Sequence, residues 1–410
     1  MKAINTSYYD FETLITGGYV YVDKTALLYE LAKPGTDGLY YLPRPRRFGK
    51  SLMISTLKAL FQGRRELFKG LAIEKTDWNW EKEVYPVLHL DMSSARGLTV
   101  EKARAKLQEH MRHKAEDFGA PFNPELDPED NFENLMRHLV KTSPSGKFVL
   151  LIDEYDAPIS GMIDLECGVR NVELVRAMLH DFYIKAKICC GDIRFMMVTG
   201  VSKFAKTSIF SAFNNPKDLT LDARVADLLG YTHEEMETYF HEHIQAFADT
   251  NGLTYDSAFA ELLRWYDGYQ FAPMKLVKVV NPVSLGNALT NGCLGNYWEA
   301  TAGSTLIFEA LKAKNAAPVD LVKTLRIKRL DAADALEAPI EALLYQGGYL
   351  TIDRRVDSET VSLRIPNEEV RDSLYDGYMS WIFGRDFELD DFELTAARTF
   401  DDVKTEVVKP

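Results

Sequence analysis

Apolar and polar residues fall along this chain in blocks of two kinds. Short uninterrupted apolar runs read as buried strands, and longer stretches with apolar residues three and four apart read as amphipathic helices. The strand runs are Leu39–Leu42, Pro86–Asp91, Phe148–Asp153, Ile193–Thr199 and Asp218–Asp222. Helical patterns cover Ser51–Gln62, about Val100–Lys114, Asn131–Leu139 and Val169–Ile188. Apolar strands alternating with such helices imply a parallel sheet covered on both faces. Beyond Asp222 the pattern turns helical over Glu234–Tyr239 and Ala258–Tyr266, with Thr232 and Glu235 spaced as a capping box. A helix at Ile340–Tyr345 then precedes two strand-like runs, Gly348–Ile352 and Val361–Ile365, which suggest a winged-helix-like unit. The fold class is therefore α/β: a core at 1–225, a helical lid at 226–290, a small α+β module at 291–375 and a tail at 376–410.

Composition narrows the class. The 410 residues are 46% hydrophobic, enough for two or three domains with real cores. No run of about eighteen apolar residues suggests a membrane span, and Met1–Thr6 lacks the apolar region of a signal peptide. Four cysteines without a C-x-x-C spacing fit a reducing compartment, so a cytoplasmic protein with no membrane partner is expected. The net charge of -13 weighs against a large nucleic-acid surface. Two basic groups stand out against it. Arg44, Arg46, Arg47 and Lys50 form one; Lys323, Arg326, Lys328 and Arg329 form the other, which reads as a solvated helix face or a DNA contact. The tail carries Asp386, Glu388, Asp390, Asp391 and Glu393, a soluble or partner-facing end.

Candidate chemistry sits at two strand ends. Arg44-Pro45-Arg46-Arg47-Phe48-Gly49-Lys50-Ser51 closes in the Gly-Lys-Ser of a phosphate-binding loop, lies between a strand and a helix, and carries Arg44 where the first glycine of G-x-x-x-x-G-K-[ST] belongs. A helix N-terminus offers unpaired N–H groups and the positive end of its dipole to phosphate. Backbone N–H groups from Arg46 to Ser51, with Phe48, Gly49 and Leu52 around them, would hold a nucleotide, Lys50 its terminal phosphates and Ser51 a Mg²⁺ ion. Phe148–Asp153 ends in Asp153 and Glu154, where Asp153 would hold the metal and Glu154 would polarise the attacking water. The strand between the loop and the acidic strand, with Glu after Asp, is the arrangement of P-loop ATPases that use a glutamate base. Three further residues carry two readings each. Thr199, with Ser202 close behind, either senses the terminal phosphate or makes a local turn bond. Arg224 either reaches a neighbouring subunit's phosphate as an arginine finger or forms a structural salt bridge. Asp23 either caps a helix or shapes the base pocket. His110, His113, His241 and His243 read as surface or packing residues rather than metal ligands.

Several blocks resemble the predicted AAA-ATPase-like family of bacterial P-loop proteins: Tyr19–Thr25, Pro43–Leu52, Leu67–Leu71, Leu151–Asp156, Thr199–Phe204, Leu229–Thr232, Tyr266–Phe271 and Asn281-Pro282. The resemblance covers roughly residues 1–290. In that family the first glycine is likewise missing, so Arg44 is not a sign of decay. Similar proteins continue with a Tyr-Trp segment, here Tyr297-Trp298, and a Pro-Asn-Glu strand end, here Pro366-Asn367-Glu368. Many then carry a nuclease-like domain, which the residues up to Pro410 are too few to hold. The implied activity is Mg²⁺-dependent ATP hydrolysis coupled to movement between core and lid, with ATP favoured because no Asn-Lys-x-Asp guanine-reading motif is present. A rival reading is a nucleotide-gated interaction module with negligible hydrolysis. A third is nucleic-acid remodelling through the C-terminal module. A protein partner, or assembly with further copies, fits each of them.

Overall fold

The computed structural model describes residues 1–383 apart from 8, 98, 160–168, 202, 204–215, 299–323 and 331–338. The readings on Ser202, Lys323 and the acidic residues from 386 onward lie outside the described residues. Five parallel strands form the central sheet in the order β2-β3-β4-β1-β5: β1 (Leu39–Pro43), β2 (Val87–Asp91), β3 (Phe148–Asp153), β4 (Ile193–Gly200) and β5 (Lys217–Asp218). Successive side chains of a strand leave by opposite faces, so β1 sends Tyr40 and Leu42 into one apolar layer and Tyr41 into the other. The first layer receives Leu57 and Phe61 of the helix Lys50–Phe61; the second receives the helices Val100–Phe118, Pro128–Thr142 and Val169–Ile188. That is the P-loop type of α/β core expected from the alternating pattern.

β5 is shorter than the sequence suggests. The Asp218 carboxylate accepts the Thr220 backbone N–H at 2.9 Å, and this local turn takes the chain out of the ladder after Asp218. The helix His233–Asn251 begins with the Thr232 and Glu235 capping box, both of its hydrogen bonds formed. With Tyr255–Tyr266 and Pro282–Asn291 it encloses a separate apolar cluster, which Val22 of the N-terminal segment enters.

The C-terminal part holds the helix Ile340–Gly347 and an antiparallel sheet ordered β6-β8-β7, from β6 (Thr324–Arg326), β7 (Thr351–Arg355) and β8 (Thr360–Arg364). Its hairpin starts at Thr351 rather than Gly348, because Gly348, at φ 91°, ends the preceding helix in the left-handed conformation. Leu325, Leu343, Leu363 and Val370 of this part share one apolar layer with Phe48, Leu57 and Phe195 of the core. The module is thereby packed onto the same sheet face as the Gly-Lys-Ser helix.

Candidate functional site

The loop after β1 leads into the helix Lys50–Phe61 through two left-handed residues, Arg47 at φ 70° and Gly49 at φ 88°. Such a φ is uncommon for a residue with a Cβ, so Arg47 carries part of the curvature that the missing glycine would otherwise supply. Nothing lies within 4 Å of where a Gly49 Cβ would stand, which leaves open space beside the helix N-terminus. Arg44 turns inward and is 2% exposed. Its guanidinium donates to the carbonyls of Pro43 (3.0 Å), Thr220 (2.9 Å) and Val225 (3.4 Å) and lies 4.4 Å from the Phe271 ring centre. Burial lowers its pKa to about 10. Arg44 is thus an internal tie that fastens the loop's entry to the turn after β5.

Lys50 also folds inward and donates to the carbonyls of Arg44 (2.9 Å) and Pro45 (2.8 Å). Burial pushes its pKa down to about 8, against the opposing charges of Asp153, Glu154 and Asp156. Asp153, at the tip of β3, is nearly fully buried and accepts the Thr199 hydroxyl and the Glu154 backbone N–H (3.1 Å). Glu154 takes φ 50°, and its carboxylate accepts from Arg96 Nη2 at 2.9 Å. Burial raises the Glu154 pKa, and Arg96 is the largest charge opposing that rise.

A cleft of about 320 Å³ gathers Arg46, Arg47, Gly49, Lys50, Ser51 and Glu154, six of the residues singled out by sequence, and adds Tyr9 and Arg96. Gly49 and Tyr9 also line a narrower slot of about 100 Å³, walled by Phe48 and Leu52 on one side and by Leu229 and Tyr231 on the other. Arg47 donates to the Tyr9 hydroxyl at 3.0 Å where the two spaces meet. The slot runs between the core and the helical part, and Lys24, another of its walls, donates to the Asp227 carbonyl (2.7 Å) and pairs with Glu235.

Four sequence candidates line neither the cleft nor the slot: the buried Asp153, and Thr199, Asp23 and Arg224. Thr199 lies behind Asp153, with its hydroxyl engaged there. The Asp23 carboxylate accepts the N–H groups of Thr25 (2.8 Å) and Ala72 (2.6 Å), while its neighbours Val22 and Lys24 line the slot. Arg224 is exposed and paired with Asp222 at 2.6 Å beyond β5. Among the described residues no group of three His, Cys, Asp or Glu side chains is placed to hold a metal ion; His110 contacts the Ser94 hydroxyl and His243 the Lys2 carbonyl.

Sequence reasoning passed over Tyr9, Arg96 and a buttress behind the loop. Phe48 stacks edge-on against Tyr269 (4.7 Å) and Phe271 (5.2 Å), and a Cβ on Gly348 would come within 2.8 Å of Pro45. The Tyr266–Phe271 block is held in turn by the Pro-Asn-Glu segment: Gly268 leaves no room for a Cβ against the Pro366 carbonyl at 2.3 Å, and Asn367 donates to the Asp267 carbonyl at 2.9 Å. Glu369 accepts the backbone N–H groups of Tyr297 (2.8 Å) and Trp298 (3.0 Å). The blocks were visible as blocks. Only their position at the end of a strand could have pointed to Arg96, four residues past Met92, on the ligand-binding edge of the sheet.

A model of predicted AAA-ATPases, the AAA-ATPase-like family, matches residues 6–210, half of the chain. The chain belongs to this family. An uncharacterized protein from the 5′ region of vnfD in Azotobacter chroococcum mcd 1 is 32% identical over 360 residues, covering 87% of this chain. The match spans 66% of that relative's own length. Membership in the AAA-ATPase-like family makes nucleotide binding the general expectation for the cleft. The match ends at 210, so the helical part and the buttress lie beyond the matched segment.

Proposed function

We propose that this chain binds ATP with Mg²⁺ and hydrolyses it, and that the bound nucleotide draws the core and the helical lid together. One observation carries the reading: Lys50, Ser51 and Glu154 line one cleft that opens, at Gly49 and Tyr9, into an apolar slot walled by both parts. The cleft fits phosphate through the open space at Gly49, the N-terminus of the helix Lys50–Phe61 and the Lys50 ammonium. For the metal, Ser51 and Asp153 supply one hydroxyl and one carboxylate. So small a donor set suits Mg²⁺, which keeps waters and takes its other ligands from phosphate. When bound, that ion neutralises charge developing on the phosphate oxygens. Glu154 would orient and deprotonate the attacking water, and Lys50 would stabilise charge on the transferred group. The slot would take the base.

The switch reading has its own support in the Arg96–Glu154 ion pair, which occupies the carboxylate assigned to water. Phosphate release and calorimetry separate the two. Hydrolysis predicts release by the parent chain, loss of at least about a hundredfold in Glu154→Gln with binding retained, and loss of binding in Lys50→Ala. Equal inactivity of parent and Glu154→Gln in every assembly state, with ATP still bound, leaves the switch. A chain that binds neither ATP nor ADP ends both readings. Arg96→Ala removes the charge that holds the Glu154 carboxyl down, so the acid limb of the hydrolysis profile is expected at higher pH.

A further inference from the structure

The C-terminal sheet has one face in the core and one in solvent. Leu325, Val361, Ile352 and Leu363 fill the inner face. On the outer face Thr324 of β6, Ser362 of β8 and Arg354 of β7 lie in register across all three strands, and Arg326 stands beside Thr360 in the next row. Strict alternation from the buried Ile352 would turn Arg354 inward. An irregularity between Ile352 and Arg354 leaves Asp353 without a ladder partner and brings Arg354 to the outer face. Lys328 and Arg329 are exposed on the short helix that directly follows β6. Arg326, Lys328, Arg329 and Arg354 make no ion pair with any described residue, whereas Arg364 at the far end of β8 is paired with Asp353 at 3.5 Å.

We propose that this face binds the phosphate backbone of duplex DNA. Strands lie about 4.8 Å apart and alternate residues about 7 Å apart, so the row from Thr324 to Arg354 and the pair Thr324 and Arg326 span a flat patch about 10 Å by 7 Å. Guanidinium forks match phosphate oxygens in pairs, and hydroxyls such as Thr324 and Ser362 are the usual neutral phosphate donors. Val356, just past β7, and Met274, against Arg355, are the large apolar side chains exposed beside this sheet among the described residues, and neither is aromatic, which disfavours an aromatic-anchored protein interface. The chain as a whole carries a charge of -13 and repels a polyanion, so binding rests on the local cations.

The test is fluorescence anisotropy of a labelled DNA duplex with the whole chain. Three to four neutralised phosphates predict that affinity falls about 40- to 150-fold between about 50 and 200 mM salt. Arg326→Glu with Arg354→Glu, and separately Lys328→Glu with Arg329→Glu, are each expected to weaken binding at least about tenfold at about 100 mM salt. Arg65→Glu with Lys69→Glu, which changes net charge equally on another exposed surface, is expected to bind as the parent does. The proposal falls if the duplex fails to bind at low salt, or if both sheet variants bind like the parent. It also falls if the control variant weakens binding equally, or if phosphatidylserine vesicles or a polyglutamate peptide bind as tightly as DNA.

Discussion

Arg44 shows how one residue can answer for a motif's missing glycine. The usual glycine gives the loop conformational freedom; here Arg47 and Gly49 take the left-handed conformations and Arg44 anchors the start of the loop to three carbonyls. Writing the glycine back should therefore do harm. Arg44→Gly strips a charged donor from three buried acceptors and is expected to destabilise the fold by roughly 3 kcal/mol in urea unfolding, with no gain in nucleotide affinity. Lys50 makes a second prediction. Its pKa is about 8 in the fold against 10.5 for a free lysine, so between these values the folded chain binds fewer protons than the unfolded one and stability rises with pH. An anion in the loop favours the charged ammonium. At about pH 9, nucleotide binding should draw in a proton, seen as a buffer-dependent heat in calorimetry. A heat independent of buffer in the parent would count against Lys50 as the phosphate contact.

Among the elements, the turn from the helix Ile340–Gly347 to β7 matters most to the loop, although some three hundred residues separate them in sequence. Gly348 has a left-handed φ of 91° and its missing Cβ leaves room for Pro45. Gly348→Ala should strain the backbone and press on the loop together. Gly35→Ala, at φ 85° with nothing within 4 Å, should strain the backbone alone. Similar losses of stability are expected from both, with nucleotide affinity reduced roughly tenfold only in Gly348→Ala. Equal affinities would mean that the buttress does not govern the loop.

The whole molecule is built around a slot that neither part encloses alone. Tyr21 and Lys24 come from the N-terminal segment, Leu229 and Tyr231 from the approach to the helical part, and Lys24 with Glu235 joins the two. Nucleotide should then slow hydrogen exchange at residues 19–24 and 228–231 together; protection confined to the Arg44–Ser51 loop would remove the lid from the proposal. The strands of the core, the loop and the acidic strand end were legible in sequence, because apolar runs and strand-loop-helix spacing are local properties of the chain. The capping box was legible for the same reason. The end of β5 and the start of the hairpin were not, since each depends on one turn, at Asp218 and at Gly348, that competes with the apolar pattern. Tyr9 and the Phe48, Tyr269 and Phe271 stack could not be read at all as partners of the loop, and Arg96 only through its place just past a strand end. By itself the sequence determined which residues carry charge and hydroxyl groups at the ends of buried strands. Only the tertiary structure decided that Arg44 faces inward, that Arg96 meets Glu154 and that the C-terminal part stands behind Pro45, because these depend on contacts between segments far apart in the chain.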